Sequence, residues 1–309
     1  MLAAAKFDLK EYLYTHLADH PWPGCQVTIG GMTITWMSSA IAAMILVALV
    51  LIAVIVPIAR RRKDLPRGAH NALEVITVFV RDSIARPALR DDEKAYKFLP
   101  LLLTLFMFVL GMNLIGLAPL ATISGWVRWH IPAMRGRPIG ATPTAVLTVC
   151  AALSFITMLA IMGSGLRHSA VQWHKHKHWP LPLCWVLSPL LWLKSLCPPI
   201  PGTMGVIMLG PLVFLELIGV FAKCFALMIR LFANMIAGHA MLAILMVFVL
   251  KGIQSMVNDG LNDVFYIAPV VVVGSAILCL MEMAVALLQA FIFTVLTAVF
   301  LGLYAEPEH

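Results

Sequence analysis

VIMLGPLVFLELIGVFAKCFALMIRLFANMIAGHAMLAILMVFVL (206–250) runs for 45 residues with three formal charges, Glu216, Lys223 and Arg230, and one histidine, His239. A helix needs roughly 20 predominantly apolar residues to cross a bilayer, and this stretch exceeds that. A second stretch of the same kind, 264–304, carries one acid, Glu282, and one amide, Gln289, in otherwise apolar surroundings. Three further runs, 34–59, 98–120 and 143–165, contain no Asp, Glu, Lys or Arg at all. The expected fold is therefore an all-α membrane protein with five membrane-crossing helices, the last two forming a long tilted hairpin.

Composition agrees with that reading. Of 309 residues, 61% are hydrophobic and 12% charged, and mean hydropathy is +0.93, whereas soluble domains carry about 25% charged residues. An ordinary cytosolic enzyme, a disordered chain and a small disulfide scaffold are all excluded. Six scattered cysteines without CxxC spacing read as small buried hydrophobes. The N-terminal segment 1–33 has no apolar core or small-residue cleavage site, so a cleavable signal peptide is not expected. The whole chain reads as one polytopic membrane domain.

The net charge of +7 raises the possibility of nucleic acid, but the basic residues flank membrane segments. Fourteen Lys and Arg fall in the 60–97 and 166–200 connectors, against six in the N-terminal tail, 121–142 and Lys251. The positive-inside rule then puts both basic connectors in the cytoplasm and the N-terminus outside, with no nucleic-acid partner. Within the first connector, Leu73, Ile76, Phe79, Val80 and Ile84 recur at helical spacing under a charged face, which predicts an amphipathic surface helix over 67–90. In the connector 166–205, His174, His176 and His178 alternate with Lys175 and Lys177, between Trp173 and Trp179. Zinc is one reading, but adjacent lysines repel a dication, and a basic headgroup-facing loop explains the pattern better. No metal or cofactor is expected.

The rare charges inside the last two hydrophobic stretches cost most. A charge at the bilayer centre costs about 2.5–3.5 kcal/mol on insertion scales, so something must offset it. Glu216, Lys223 and Arg230 are spaced by seven residues and share one stripe, which Asn234 extends. His239 lies nine residues past Arg230, turned by about 180° and displaced by about 13.5 Å. Across the polar turn KGIQSMVNDGLND (251–263), an antiparallel hairpin lets Gln289 approach Arg230 and Glu282 approach His239. A Glu–His pair can pass protons near neutral pH, where histidine titrates. The competing reading is structural, with Arg230 in an ion pair with Glu216 or Glu282 and His239 a satisfied core residue. Five polar groups on facing surfaces favour function.

The runs IRLFANMIAGHAML (229–242) and MEMAVALLQAFIFTVLTAVFLGLY (281–304) resemble subunit a of the F-type ATP synthases. Further support comes from TPT (142–144), GMNLIGLAPL (111–120) and the LEL…K…R spacing of the fifth span. The resemblance implies a non-catalytic subunit that gathers protons for a rotary motor. It maps Arg230 onto the family's essential arginine and Asn234 and Gln289 onto its polar neighbours. Glu216 and Lys223 map onto charges of the cytoplasmic half, and His239 and Glu282 onto an acid–histidine pair found in either order. Implied partners are the c-ring, the peripheral-stalk b subunits, the remaining synthase subunits and the lipid bilayer, with protons as the transported ion. The bacterial plasma membrane is the expected location, with the mitochondrial inner membrane as alternative. Val146, where the family commonly has Asn, and the long 166–205 connector depart from the pattern. The chain carries no Walker A loop or nucleophile elbow, so ATP chemistry is assigned to other subunits. A secondary transporter would be expected to show repeats and broken helices, and a metalloenzyme would rest on the histidine connector.

Overall fold

The computed structural model describes residues 19, 26–29, 32–35, 37–60, 68–89, 91–117, 143–177, 203–259 and 262–305. A short hairpin, β1 (Gln26–Ile29) and β2 (Met32–Thr35), pairs antiparallel with Gln26 opposite Thr35 and Ile29 opposite Met32. The helices are α1 (Ser39–Arg60), α2 (Ala69–Phe79), α3 (Arg86–Leu89), α4 (Asp92–Leu117), α5 (Leu147–Lys177), α6 (Thr203–Asp259) and α7 (Asn262–Ala305). A π-turn, Val80–Ala85, joins α2 to α3, and a 3₁₀ turn, Pro143–Ala145, precedes α5. Among the described residues, five helices are long and apolar enough to cross a membrane, at Ser39–Arg60, Asp92–Leu117, Leu147–Arg167, Gly210–Met241 and Val272–Leu303. Hydrocarbon offers no partner to backbone N–H or C=O groups, so an apolar chain inside it closes its own hydrogen bonds as helix.

The all-α membrane class holds, and several boundaries move. The first span starts at Ser39 instead of residue 34, because the chain before it is the hairpin. The second starts at Asp92 instead of residue 98; Asp92 and Glu93 lie in its first turn, where carboxylates complement the exposed N–H groups. The helix expected to end at residue 165 continues to Lys177, so the front of the basic connector is helical. The polar turn expected over 251–263 is mostly helix as well, since α6 runs to Asp259 and α7 begins at Asn262. Leaving the bilayer does not end a helix; a breaker does, and the first glycine after Lys251 and Gly252 is Gly260. The surface helix covers 69–89 but takes its extra π residue midway.

The chain forms two compact units, residues 1–61, 107–150 and 230–290 in one, and 62–106, 151–229 and 291–309 in the other. In the first, α1 buries Ser39, Ala40, Ala43 and Val47, and Ser38 just before it is buried too. Asp19 accepts hydrogen bonds from the Ser39 hydroxyl and the Ala40 N–H, both at 3.1 Å, so a distant carboxylate caps this helix. In the second, Phe79 stacks obliquely on Phe106 and Phe291, with ring centroids 6.1 and 5.8 Å apart. Val80, Ile84, Ala85 and Leu89 are buried beneath a charged exterior. There Asp82 bridges Arg81 at 2.8 Å and Arg86 at 2.9 Å, and Arg86 reaches Asp92 at 2.9 Å. The Arg81 hydrogen bonds, with help from Arg86, hold the Asp82 carboxyl below the usual carboxylate range. The Ser154 hydroxyl of α5 donates to the backbone carbonyl of Cys224 in α6.

Gly302 marks where α7 meets the surface helix at backbone distance. A Cβ there would lie 2.5 Å from the Ala88 carbonyl oxygen and 3.6 Å from the Leu89 Cα, and backbone cannot swing aside as a side chain does. Gly302→Ala is therefore expected to destabilise the protein by about 1–3 kcal/mol. Gly163→Ala, where a Cβ meets nothing within 4 Å, should be neutral or stabilising. Thermal unfolding of the detergent-solubilised protein separates the two, and equal melting temperatures would refute the contact.

Candidate functional site

α6 buries one narrow stripe, Val220, Cys224, Leu227, Leu231 and Met235, at spacings of three and four residues. Arg230 lies off that stripe and is exposed, as are Ala222, Ala226, Ala233 and Ala237 around it. Among the described residues no ion pair or hydrogen bond reaches Arg230. An internal ion pair with Glu282 is thus not formed, and the side chain of Glu216 lies outside the described residues. Lys223 is half-buried, its Nζ 5.4 Å from the centre of the Phe300 ring, a cation–π distance.

α7 turns its polar groups inward. Glu282, Ala286, Gln289, Ala290, Phe293, Thr294, Thr297, Ala298 and Leu301 form its buried face. Ala286, Ala290, Thr294 and Ala298 repeat every fourth residue, the small-residue pattern that lets membrane helices approach closely. Glu282 rests on Gly238 of α6: a Cβ at Gly238 would lie 2.5 Å from Glu282 Oε1 and 3.0 Å from its Cδ. A side chain at this position would displace the carboxyl group from where it rests. Glu282 Oε1 and Gln289 Nε2 are buried with no hydrogen-bond partner among the described residues.

Asn113, Asn234, Met235, Gly238, Glu282 and Ala286 help line a cavity of about 100 Å³. That is room for several waters, which Asn113, Asn234 and Glu282 can hydrogen-bond from an otherwise largely apolar wall. The structure thus gathers Asn234 and Glu282 of the expected set into one place. His239, half-buried, directly follows the glycine on which Glu282 rests, but it does not line the cavity. Gln289 and Arg230 part company, one buried and the other exposed, and no hydrogen bond joins them among the described residues.

Two contributors escaped the reading of charges. Asn113 of α4 is 3% exposed, and its Nδ2 donates to the Ala286 carbonyl at 3.5 Å. A search restricted to Asp, Glu, Lys and Arg passes over a buried amide, although a carboxamide in an apolar helix is itself a signal. Gly238 is the other, visible only once its neighbour across the helix interface is known. The imidazoles of His174 and His176 and all of His178 lie outside the described residues. Among the described residues no cluster of three or more His, Cys, Asp or Glu forms a metal site.

Comparison with known proteins matches residues 41–302 to the model of the ATP synthase A chain family. ATP synthase subunit a of Chloroherpeton thalassium (strain ATCC 35110 / GB-78) is 30% identical over 311 residues, covering 98% of this chain and 74% of that protein. The protein of the same name from Chlorobium phaeobacteroides (strain BS1) is 30% identical over 297 residues, covering 93% and 71% respectively. The one from Myxococcus xanthus (strain DK1622) is 32% identical over 250 residues, covering 81% and 65%. With bacterial relatives of this kind and five helices long enough to span, the chain belongs to the ATP synthase A chain family and is a multi-pass protein of the bacterial plasma membrane.

Proposed function

We propose that the chain is the proton-conducting stator subunit of an F-type ATP synthase, working against the c-ring, held by the peripheral-stalk b subunits, and doing no ATP chemistry itself. One observation carries this reading: a buried carboxylate, Glu282, opens into a cavity that it shares with the amides of Asn113 and Asn234, while Arg230 stands exposed, with no partner among the described residues, on a face edged with alanines. The first arrangement moves protons, and the second waits for an anion.

Protons enter from the outer side through a half-channel that includes the cavity of Asn113, Asn234 and Glu282, with His239 and Gln289 beside it. Carboxylate and imidazole exchange protons readily near neutral pH. A ring carboxylate takes up the proton, travels through lipid, and releases it to a cytoplasmic half-channel near Glu216 and Lys223. Arg230 separates the two. A guanidinium stays protonated, so it relays no protons, yet it favours the ionised form of each ring carboxylate that passes. The small residues around it let a foreign helix bring that carboxylate close. Each proton contributes only about 2.3 kcal/mol per 100 mV of membrane potential, so many must be collected per turn.

In inverted vesicles bearing the whole complex, Arg230→Ala should lower ATP-driven acidification by about 10²-fold or more, the scale of removing a preorganised electrostatic group. Retained coupled pumping would rule out the separator role. Glu282→Gln should slow proton flux by about 10²-fold without loss of subunit, as removal of a proton-transfer group does; undiminished flux would count against it. Gly238→Val should mimic that slowing by unseating the Glu282 carboxyl, and Gly238→Ala should fall between. A flux insensitive to side-chain size at residue 238 would show that the contact is irrelevant to transport.

A further inference from the structure

Hydroxyls in membrane helices ordinarily return their hydrogen bond to their own backbone, and most here do. Thr104 donates to Pro100 and Leu101, Thr157 to Leu153 and Ser154, Ser164 to Ile161, Ser275 to Val272 and Thr297 to Phe293. Ser154 departs from them by leaving its helix: it donates across to the main-chain carbonyl of Cys224 on α6. Ser154 is 4% exposed and Cys224 6%, so water does not compete for the bond.

The target matters because α6 lacks an apolar reason to face one way. Its buried stripe of Val220, Cys224, Leu227 and Leu231 is no more hydrophobic than the exposed Phe214, Leu215, Phe221, Phe225 and Ile229. In water that difference in burial would set the rotation of the helix. In lipid it does not, since acyl chains accept either face equally and polar contacts and close packing decide. A backbone carbonyl is a strong anchor, because it has no rotamers and moves only when the helix itself turns or slides. Arg230 follows Cys224 by six residues, about 9 Å along the axis. A turn of about 20° would carry its side chain about 2 Å sideways at the ~5–6 Å radius of a helix with side chains. Displacements of an ångström or two at a reacting group can cost about 10²-fold in rate.

We propose that Ser154 is a positioning residue for proton transport: its hydrogen bond to the Cys224 carbonyl sets the rotation of α6 and so the direction in which Arg230 is presented. This rests on Arg230 being the coupling cation. Nothing about Ser154 requires it to touch a proton or a partner; it acts through the helix.

The test uses the assembled complex in inverted vesicles, with acidification per ATP hydrolysed normalised to the subunit recovered in the complex. Ser154→Thr keeps the hydroxyl and should retain at least half of the coupling ratio. Ser154→Val, nearly the same shape as Thr without the donor, and Ser154→Ala should each lower the ratio at least fivefold while assembling. Either variant pumping like the parent would overturn the proposal. So would failure of both to assemble where Ser154→Thr assembles, since the hydroxyl would then be a folding element. Arg230→Ala in the same series keeps the two readings apart: if it pumps, the coupling role of Arg230 falls, and if it is dead while Ser154→Val is normal, only the role of Ser154 falls.

Discussion

A permanent positive charge on a membrane helix, exposed and with no partner among the described residues, is the constraint from which the rest of this structure takes its sense. Arg230 lies within the Gly210–Met241 span and finds no anion among the described residues. Leaving a guanidinium in hydrocarbon costs about 2.5–3.5 kcal/mol on insertion scales. Evolution tolerates such a cost where a second molecule supplies the counter-charge. The alanines beside Arg230 remove the bulk that would hold another helix away. Had Glu282 faced Arg230 and paired with it, the cation would be neutralised internally and would attract a partner's carboxylate less strongly.

The carboxylate is instead kept apart. Glu282 points into the buried side of α7 and rests on Gly238, sharing its cavity with two amides. In the proposed function, this separation of acid from cation leaves one to serve proton entry and the other charge selection. The packing around these groups is close: glycine under the carboxyl group, small residues every fourth position along α7, and a hydroxyl from α5 hydrogen-bonded to the backbone of α6.

Much of this was legible in the residues. Long apolar runs located all five spans, because a bilayer demands helix wherever the chain is apolar and long enough. Helix ends were less legible, since apolarity marks where the lipid stops and not where the helix does; α5 and α6 both outrun their apolar runs, by 12 and 9 residues. The hairpin has a purely local signal, VTIGGMTIT (27–35), in which two glycines separate two short β-branched runs, and it is easily absorbed into the apolar run that follows. At the site, Glu282 and Arg230 stood out by their charge. Asn113 did not, being neutral, and neither Gly238 nor Ser154 could, because what each does depends on a partner 44 or 70 positions away along the chain.

The most direct test of the account asks what faces Arg230 in the working complex. Ala226 and Ala233 are replaced one at a time by cysteine, a second cysteine is placed one turn from the carboxylate on the ring subunit, and the membranes are oxidised. The account requires a disulfide between this chain and the ring from at least one of the two positions, and none from a cysteine at Leu227 on the buried stripe. A cross-link from Leu227 with neither alanine position reacting would contradict it.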